Sequence, residues 1–139
     1  MDYAFECLEI CKQSSAKKYG VNYQYFTSGG AYGYEGQWAQ IDSCLALCRY
    51  KWKDWKFCET TLFNFIGLQL EDGRICLWAT DVIPSVVAEV NFPNQTQNLS
   101  SLFKIFDVAY PILSSSTDKQ MKEKNYIMLK NYIDWWFSY

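Results

Sequence analysis

The aromatic side chains are the feature of this sequence that most limits how the chain can fold. Six Trp, eleven Tyr and nine Phe make up twenty-six of the 139 residues. Each such side chain buries roughly 150–250 Å² when it packs, so the chain needs a large and well-filled core. Half of all residues are apolar, which argues against intrinsic disorder. A chain of this length is expected to form a single globular domain over 1–139.

Histidine is absent from the sequence. Its imidazole is the commonest general base and a common metal ligand, so its absence removes the Ser-His-Asp and Cys-His mechanisms of catalysis. The glycines at positions 29, 30, 33 and 36 match neither the phosphate-binding loop nor the dinucleotide-binding fingerprint. The sequence therefore favours binding over catalysis and predicts no cofactor.

The first half of the chain begins and ends with helical periodicity. Between the two helical patterns lies an alternating stretch, followed by a segment that holds four of the seven glycines. The pattern over 37–50 favours a helix, although a strand over 45–50 also fits. The predicted elements are a helix over 2–18, a strand over 21–26, a glycine-rich loop over 27–36 and a helix over 37–50.

The clearest strand pattern lies in the middle of the chain. Two partly alternating apolar runs, 62–70 and 75–80, flank the turn sequence Glu71-Asp-Gly-Arg74. An Asp-Gly pair between two such runs is among the strongest short-range signatures of a β-hairpin. The valines of 85–90 add a third candidate strand. We therefore expect an antiparallel hairpin or meander at about 60–90.

Two helices are predicted after this meander. Residues 101–113 are apolar at helical spacing until Pro111 interrupts the pattern. Thr117 and Gln120 match a capping box, which predicts a last helix that runs to about Phe137. The predicted apolar stripe of that helix consists of Tyr126, Leu129, Tyr132, Ile133 and Trp136. The predicted fold is α+β, with a small antiparallel sheet packed against N-terminal and C-terminal helices.

The cysteines form two pairs with a four-residue spacing, Cys7/Cys11 and Cys44/Cys48. On helices this spacing puts both sulfurs on one face, so two facing helices would present four thiolates to a metal ion. Zinc knuckles use a tighter spacing and a turn, and cysteine is also a small residue that is often buried. We favour a core role and predict no metal, while the thiolate site stays open as the alternative.

Charge is unevenly distributed along the chain. Between Cys58 and Phe103, five acidic residues accompany a single cation, Arg74. An acidic surface attracts a basic partner and speeds their encounter. Charges on a sheet edge also protect it from aggregation, and this explanation fits equally well. The partner-binding hypothesis predicts contacts to a basic protein from Glu71, Asp72 and Asp81.

The segment 49–57 instead interleaves four cations with aromatic residues. Such a mixture suits stacking on nucleic-acid bases or seating on an anionic membrane. The segment is short and the whole chain carries a net charge of -2, which argues against a nucleic-acid partner. Exposed Tyr and Trp side chains are enriched at protein interfaces. The predicted partner anchors are Tyr32, Tyr34, Trp52 and Trp55.

The sequence contains neither a basic leader followed by an apolar segment nor a run of about 18 apolar residues. We therefore expect a cytoplasmic protein with reduced thiols and no membrane-spanning segment.

Three functions fit this pattern. The leading hypothesis is a small protein-binding inhibitor, such as an immunity protein or antitoxin that neutralises a basic toxin or nuclease by occlusion; homodimerisation is compatible with it. The first alternative is a small-ligand or nucleotide sensor with an aromatic-lined pocket closed by the glycine-rich loop. The second is a carboxylate-dependent hydrolase, for which Glu35 is the candidate acid.

Overall fold

The computed structural model describes residues 3–15, 17, 21–27, 38–75, 78–79 and 104–138. These residues form an α+β fold that is mostly helical, which confirms the predicted class. In chain order the elements are α1 (Tyr3–Ile10), β1 (Lys12–Gln13), β2 (Tyr25–Phe26), β3 (Trp38–Ala39), α2 (Gln40–Tyr50), α3 (Trp55–Leu62), α4 (Asn64–Gly67), β4 (Trp78–Ala79), α5 (Lys104–Ser115) and α6 (Lys119–Trp136).

The strands are short and form two antiparallel pairs. β1 pairs with β2 so that Lys12 lies opposite Phe26. β3 pairs with β4 so that Trp38 lies opposite Ala79. The second pairing holds the start of α2 beside the chain that follows the Asp-Gly turn.

The strand predicted over 62–70 is helical for most of its length. α3 covers Trp55–Leu62 and α4 covers Asn64–Gly67, and within 62–70 the backbone pairs as a strand would only at an isolated bridge between Gln69 and Ile75. The Asp54 side chain caps α3 by accepting a hydrogen bond from the Phe57 backbone N–H at 2.9 Å. The alternation in 62–70 was incomplete, and its apolar residues suit the buried face of two short helices equally well. The predicted strand beyond residue 80 lies outside the described residues.

The first helix is shorter than the predicted helix over 2–18. It ends at Ile10, because Lys12 and Gln13 form a short strand that pairs with β2. The backbone N–H of Thr27 also donates to the Cys11 carbonyl oxygen at 2.8 Å. Pairing with a distant segment therefore overrides the local helical pattern, as tertiary context often does.

The helix predicted in 37–50 is confirmed over Gln40–Tyr50, and the alternative strand is wrong. Two apolar residues of this helix, Ile41 and Leu45, are nevertheless exposed. The residues that it buries are Gln40, Ser43, Cys44, Ala46, Leu47 and Tyr50.

The last two helices also depart from the prediction in detail. α5 continues through Pro111, since burial of its apolar face outweighs the one backbone hydrogen bond that proline removes. α6 is capped by Asp118 rather than Thr117, and the Asp118 carboxylate accepts from the Met121 backbone N–H at 2.9 Å. Among the predicted stripe residues, Tyr132 is buried, whereas Tyr126 and Ile133 are exposed.

Aromatic rings fill much of the core. Near β2, the rings of Phe26, Tyr50 and Phe57 pack edge to face, with centroids 5.0–5.5 Å apart. Near α6, the ring of Tyr132 stacks on Phe106 at 6.3 Å. The buried Gln40 Nε2 donates to the Tyr132 hydroxyl at 3.2 Å and so joins α2 to α6. Such edge-to-face and offset arrangements add stability beyond the area that the rings bury.

An ionic network surrounds Glu9 at the end of α1. The Lys53 Nζ lies 2.7 Å from one carboxylate oxygen and the Lys12 Nζ lies 3.0 Å from the other. The Tyr50 hydroxyl donates to the same carboxylate. The Lys12 ammonium also lies 4.5 Å from the ring centroids of Tyr50 and Phe57. This network ties α1 and β1 to the end of α2.

The Glu9 network predicts a specific loss of stability in acid. Hydrogen bonds from Lys53, Tyr50 and Lys12 lower the pKa of Glu9 from 4.5 to about 2. Because the pKa is lower in the folded chain, the carboxylate stabilises the fold above pH 4.5, and this contribution is lost as the pH falls towards about 2. We expect the wild-type chain to lose more free energy of unfolding over that interval than Glu9→Gln does, measured by urea unfolding.

Glu6→Gln is the matched control, since Glu6 is exposed on the same helix and forms no ion pair with a described residue. It should follow the wild-type pH profile. Equal losses in Glu9→Gln and the wild-type chain would show that the network does not stabilise the fold.

Candidate functional site

A cleft of about 360 Å³ lies between the Asp-Gly turn and the C-terminal part of α6. It is open to solvent on one side. The residues that line it are Glu71, Asp72, Gly73, Asn131, Asp134, Trp135 and Ser138. The cleft thus combines three carboxylates with one indole ring.

The turn that forms one wall of the cleft is closed by its own backbone. The Leu70 N–H donates to the Arg74 carbonyl oxygen at 2.7 Å, and the Gly73 N–H donates to the Leu70 carbonyl oxygen at 3.0 Å. Gly73 has a φ of +94°, which is a conformation that residues with a Cβ rarely adopt. The Asp-Gly pair therefore forms the turn that the sequence predicted.

Gln69 clamps this turn onto α6. Its Nε2 donates to the carbonyl oxygens of Gly73 and Met128, both at 2.8 Å. One amide group thus bridges the backbone of the turn and the backbone of the helix. The clamp is partly buried, so its two hydrogen bonds are only partly exposed to competition from water.

The turn approaches the helix so closely that only glycine fits at position 73. A Cβ placed there would lie 2.5 Å from the Asn131 backbone oxygen and 3.5 Å from the Trp135 Cβ. Contact between the turn and the helix backbone fixes where Glu71 and Asp72 stand relative to α6. The two walls of the cleft are therefore held in place before any ligand arrives.

The charges around the cleft are partly paired. Asp72 accepts hydrogen bonds from the Arg74 backbone N–H at 3.1 Å and from Arg74 Nε at 2.6 Å. The Arg74 guanidinium lies 5.8 Å from the centre of the Trp135 ring. Asp134 pairs with Lys130, one turn earlier on α6. Glu71 is exposed and forms no ion pair within the described part of the chain.

This arrangement suits a cationic group. A guanidinium or ammonium ion is stabilised both by carboxylates and by the face of an indole ring. Arg74 already has both kinds of contact, because it lies between the Asp72 carboxylate and the Trp135 ring. Two residues that line the cleft, Asp72 and Trp135, thus already hold one cation of the chain.

The predicted site residues do not all belong to this cleft. The structure brings Glu71 and Asp72 together in it. Trp52 is 78% exposed on the turn after α2, while Trp55 is half-buried at the start of α3, and neither lines the cleft. The remaining predicted contacts, together with the candidate acid Glu35, lie outside the described residues; these contacts are Tyr32, Tyr34 and Asp81.

Sequence reasoning missed the helical wall of the cleft. Asn131, Asp134, Trp135 and Ser138 follow the spacing i, i+3, i+4 and i+7, which is one face of a helix. The mixture of polar residues with a tryptophan on that face was visible in the sequence. Nothing in the sequence indicated that this face meets the Asp-Gly turn.

The cysteines differ in their surroundings. Cys44 and Cys58 are buried, and burial raises the pKa of both thiols, to about 12 for Cys58. Cys7 is exposed, which departs from the expected core role. Among the described residues there is no cluster of three or more Cys, Asp or Glu side chains arranged to hold a metal ion.

Comparisons with protein-family models, with curated proteins and with solved structures found no match to this chain. In the part of the chain that the structure describes, no helix is long and apolar enough to cross a membrane.

Because of the close contact at Gly73, we expect the stability of the fold to be sensitive to any side chain at this position. Gly73→Ala should lower the free energy of unfolding by about 2–4 kcal/mol, because it adds both a strained φ and an overlap with the Asn131 backbone. The measurement is urea unfolding followed by circular dichroism. Gly67→Ala is the matched control, at an exposed position in α4, and should not destabilise the chain. Equal stability of Gly73→Ala and wild type would contradict the docked turn.

Proposed function

We propose that this chain is a small protein-binding inhibitor whose acidic cleft receives a lysine or arginine side chain from a basic partner. The observation that carries the proposal is that Glu71, Asp72 and Asp134 line the same cleft as Trp135. Three carboxylates next to an indole favour a cation over an anion or an apolar ligand.

Arg74 supplies the chemical precedent for the incoming group. Its guanidinium already contacts a carboxylate and an indole at the edge of the cleft. Glu71 has no ion pair with a described residue, so it is available to a second cation. An incoming cationic side chain that binds Glu71 would be attracted by the carboxylates of the cleft. It would leave the Arg74–Asp72 ion pair in place.

The walls of the cleft are ordered before a partner binds, which supports a role in binding. The Gln69 clamp and the Gly73 contact hold the turn against α6 in the free protein. A site that is already ordered loses little conformational entropy when a partner binds. The chain has a net charge of -2, which adds a modest long-range attraction for a basic partner.

The specific form of the proposal is an immunity protein or antitoxin of the cytoplasm that covers a basic toxin or nuclease. Such a partner presents many lysine and arginine side chains, because it binds a polyanion. An inhibitor that places carboxylates against these cations occludes the surface that contacts nucleic acid. Occlusion needs no catalytic group in the inhibitor.

The cleft supports the two alternatives less well. Its volume is near the lower end for small-ligand pockets, roughly 300–1,000 Å³, and its lining is charged rather than apolar. Hydrolysis by two carboxylates requires one of them to act as a proton donor. Asp72 and Asp134 are instead each engaged with a cation of the chain, Arg74 and Lys130 respectively.

Charge reversal at the cleft tests the proposal. A partner is first captured on the wild-type chain from a lysate of the source organism, identified, and purified. Glu71→Lys should then weaken its binding by about tenfold or more, since it puts a cation where the proposal needs an anion. The measurement is the dissociation constant by calorimetry. Added salt should slow association with the wild-type chain, because the attraction is electrostatic.

Glu6→Lys is the matched control, because it makes the same change of charge at an exposed position on α1. Its affinity for the partner should stay within about twofold of wild type, since long-range charge alone is a small term at physiological salt. The proposal fails if the captured partner is not basic. It also fails if Glu71→Lys binds as tightly as Glu6→Lys.

A further inference from the structure

The outer face of α6 carries an exposed apolar seam. Tyr126 is 67% exposed, Ile133 is 37% exposed and Phe137 is 78% exposed. These three side chains, with Lys130 between them, follow the spacing i, i+4, i+7 and i+11. Throughout this subsection, the outer seam means Tyr126, Lys130, Ile133 and Phe137.

The outer seam is distinct from the face that α6 uses in its own core. The buried residues of the helix are Asn125, Met128 and Tyr132. At 3.6 residues per turn, these point roughly 100–180° around the helix axis away from Tyr126 and Phe137. The packing of α6 within the chain therefore leaves the apolar side chains of the seam in water.

The spacing of the seam is that of a helix that packs against another helix. Steps of four, three and four residues are the repeat of the core positions in a coiled coil. The Phe137 N–H donates to the Ile133 carbonyl oxygen at 3.2 Å, so the helical path continues as far as Phe137. The seam thus follows a continuous helical path over 126–137, a little under two heptads.

The charges on this face point to a second copy of the chain. Lys130 of the seam forms an i, i+4 ion pair with Asp134, which lies between the seam and the cleft, so residues 126–137 contain one cation and one anion. A face with no net charge gains little from an anionic membrane or from a basic protein. A face that carries one cation and one anion is complementary to the same face of a second copy related by a two-fold axis.

An antiparallel arrangement gives the pairing explicitly. If the two-fold axis passes between positions 131 and 132, residue i lies level with residue 263 - i of the second copy. Tyr126 then lies opposite Phe137 of the second copy, and Lys130 lies opposite Ile133. Lys130 also comes within one residue of the level of Asp134 of the second copy, about 1.5 Å along the axis. Rings meet rings at the two ends, and opposite charges meet at the centre.

We propose that a second copy of this chain docks antiparallel on the outer seam of α6. The inference rests on the seam and on the Lys130–Asp134 ion pair, and Asp134 is the one residue that it shares with the proposed binding cleft. One helix from each copy covers less than the roughly 800 Å² per partner of a standard interface. The dimer is therefore weak, and it forms at high protein concentration.

Sedimentation velocity of the purified chain from about 5 to 500 µM tests the dimer, a range that brackets weak association. We expect the weight-average sedimentation coefficient of the wild-type chain to rise with concentration. Phe137→Glu should abolish the rise, because it puts a charge opposite Tyr126 of the second copy. Circular dichroism checks that the variant keeps its fold, which is expected for a side chain that is 78% exposed.

Tyr110→Glu is the matched control. Tyr110 is 80% exposed on α5, so the variant loses a comparable exposed aromatic ring outside the seam. It should associate as the wild-type chain does. The proposal is overturned by a wild-type chain that stays monomeric throughout, by association that survives Phe137→Glu, or by equal loss in Tyr110→Glu. Membrane binding would also overturn it. In that case the wild-type monomer sediments with vesicles of phosphatidylserine and phosphatidylcholine, and Phe137→Glu does not.

A charge swap tests the antiparallel register. Lys130→Asp and Asp134→Lys should each weaken association, because each puts like charges level with one another. The double variant Lys130→Asp/Asp134→Lys should restore association. The anion at position 130 of one copy then lies near the cation at position 134 of the other. The melting temperature of the dilute monomer reports the ion pair within one helix separately. A double variant that associates no better than the single variants would overturn the antiparallel arrangement.

Discussion

The packing around Tyr132 connects the helices on which the cleft depends. Its side chain is fully buried, its hydroxyl accepts from Gln40 on α2, and its ring stacks on Phe106 of α5. The same ring stacks on Trp135, with centroids 6.3 Å apart, and so orients the indole that lines the cleft. A buried polar atom must be hydrogen-bonded to avoid a large cost, so the pair with Gln40 specifies how α2 and α6 meet.

The second wall of the cleft depends on a backbone contact rather than on side-chain volume. Gly73 brings the turn against the carbonyl of Asn131, and Gln69 ties both backbones with one amide. These contacts are short and directional, so they leave little freedom to the backbone that carries Glu71 and Asp72. The cleft therefore forms because the Asp-Gly turn docks on α6. One face of α6 packs in the core, a second lines the cleft and a third carries the outer seam.

The sequence predicted local features well where a single segment contained the whole explanation. The Asp-Gly turn was correct, because a positive φ at glycine is a property of the turn itself. The helix over Gln40–Tyr50 and the last helix were also correct, since periodicity over many residues is a strong pattern. The strand over 62–70 was wrong, because short apolar runs fit a buried helix or a strand equally well. The early end of α1 followed from pairing with β2, which no local pattern contains.

The candidate site shows the same division. Glu71 and Asp72 were predicted from local charge, and both line the cleft. Asp134 and Trp135 were not predicted, because their role arises only when α6 meets a turn about sixty residues earlier in the chain. The sequence by itself determined the α+β class, the aromatic core and the acidic turn, since composition and short-range geometry suffice for these. Only the tertiary structure decided which helical face the turn meets and which aromatic rings stay exposed, because both depend on contacts between segments that are distant in sequence.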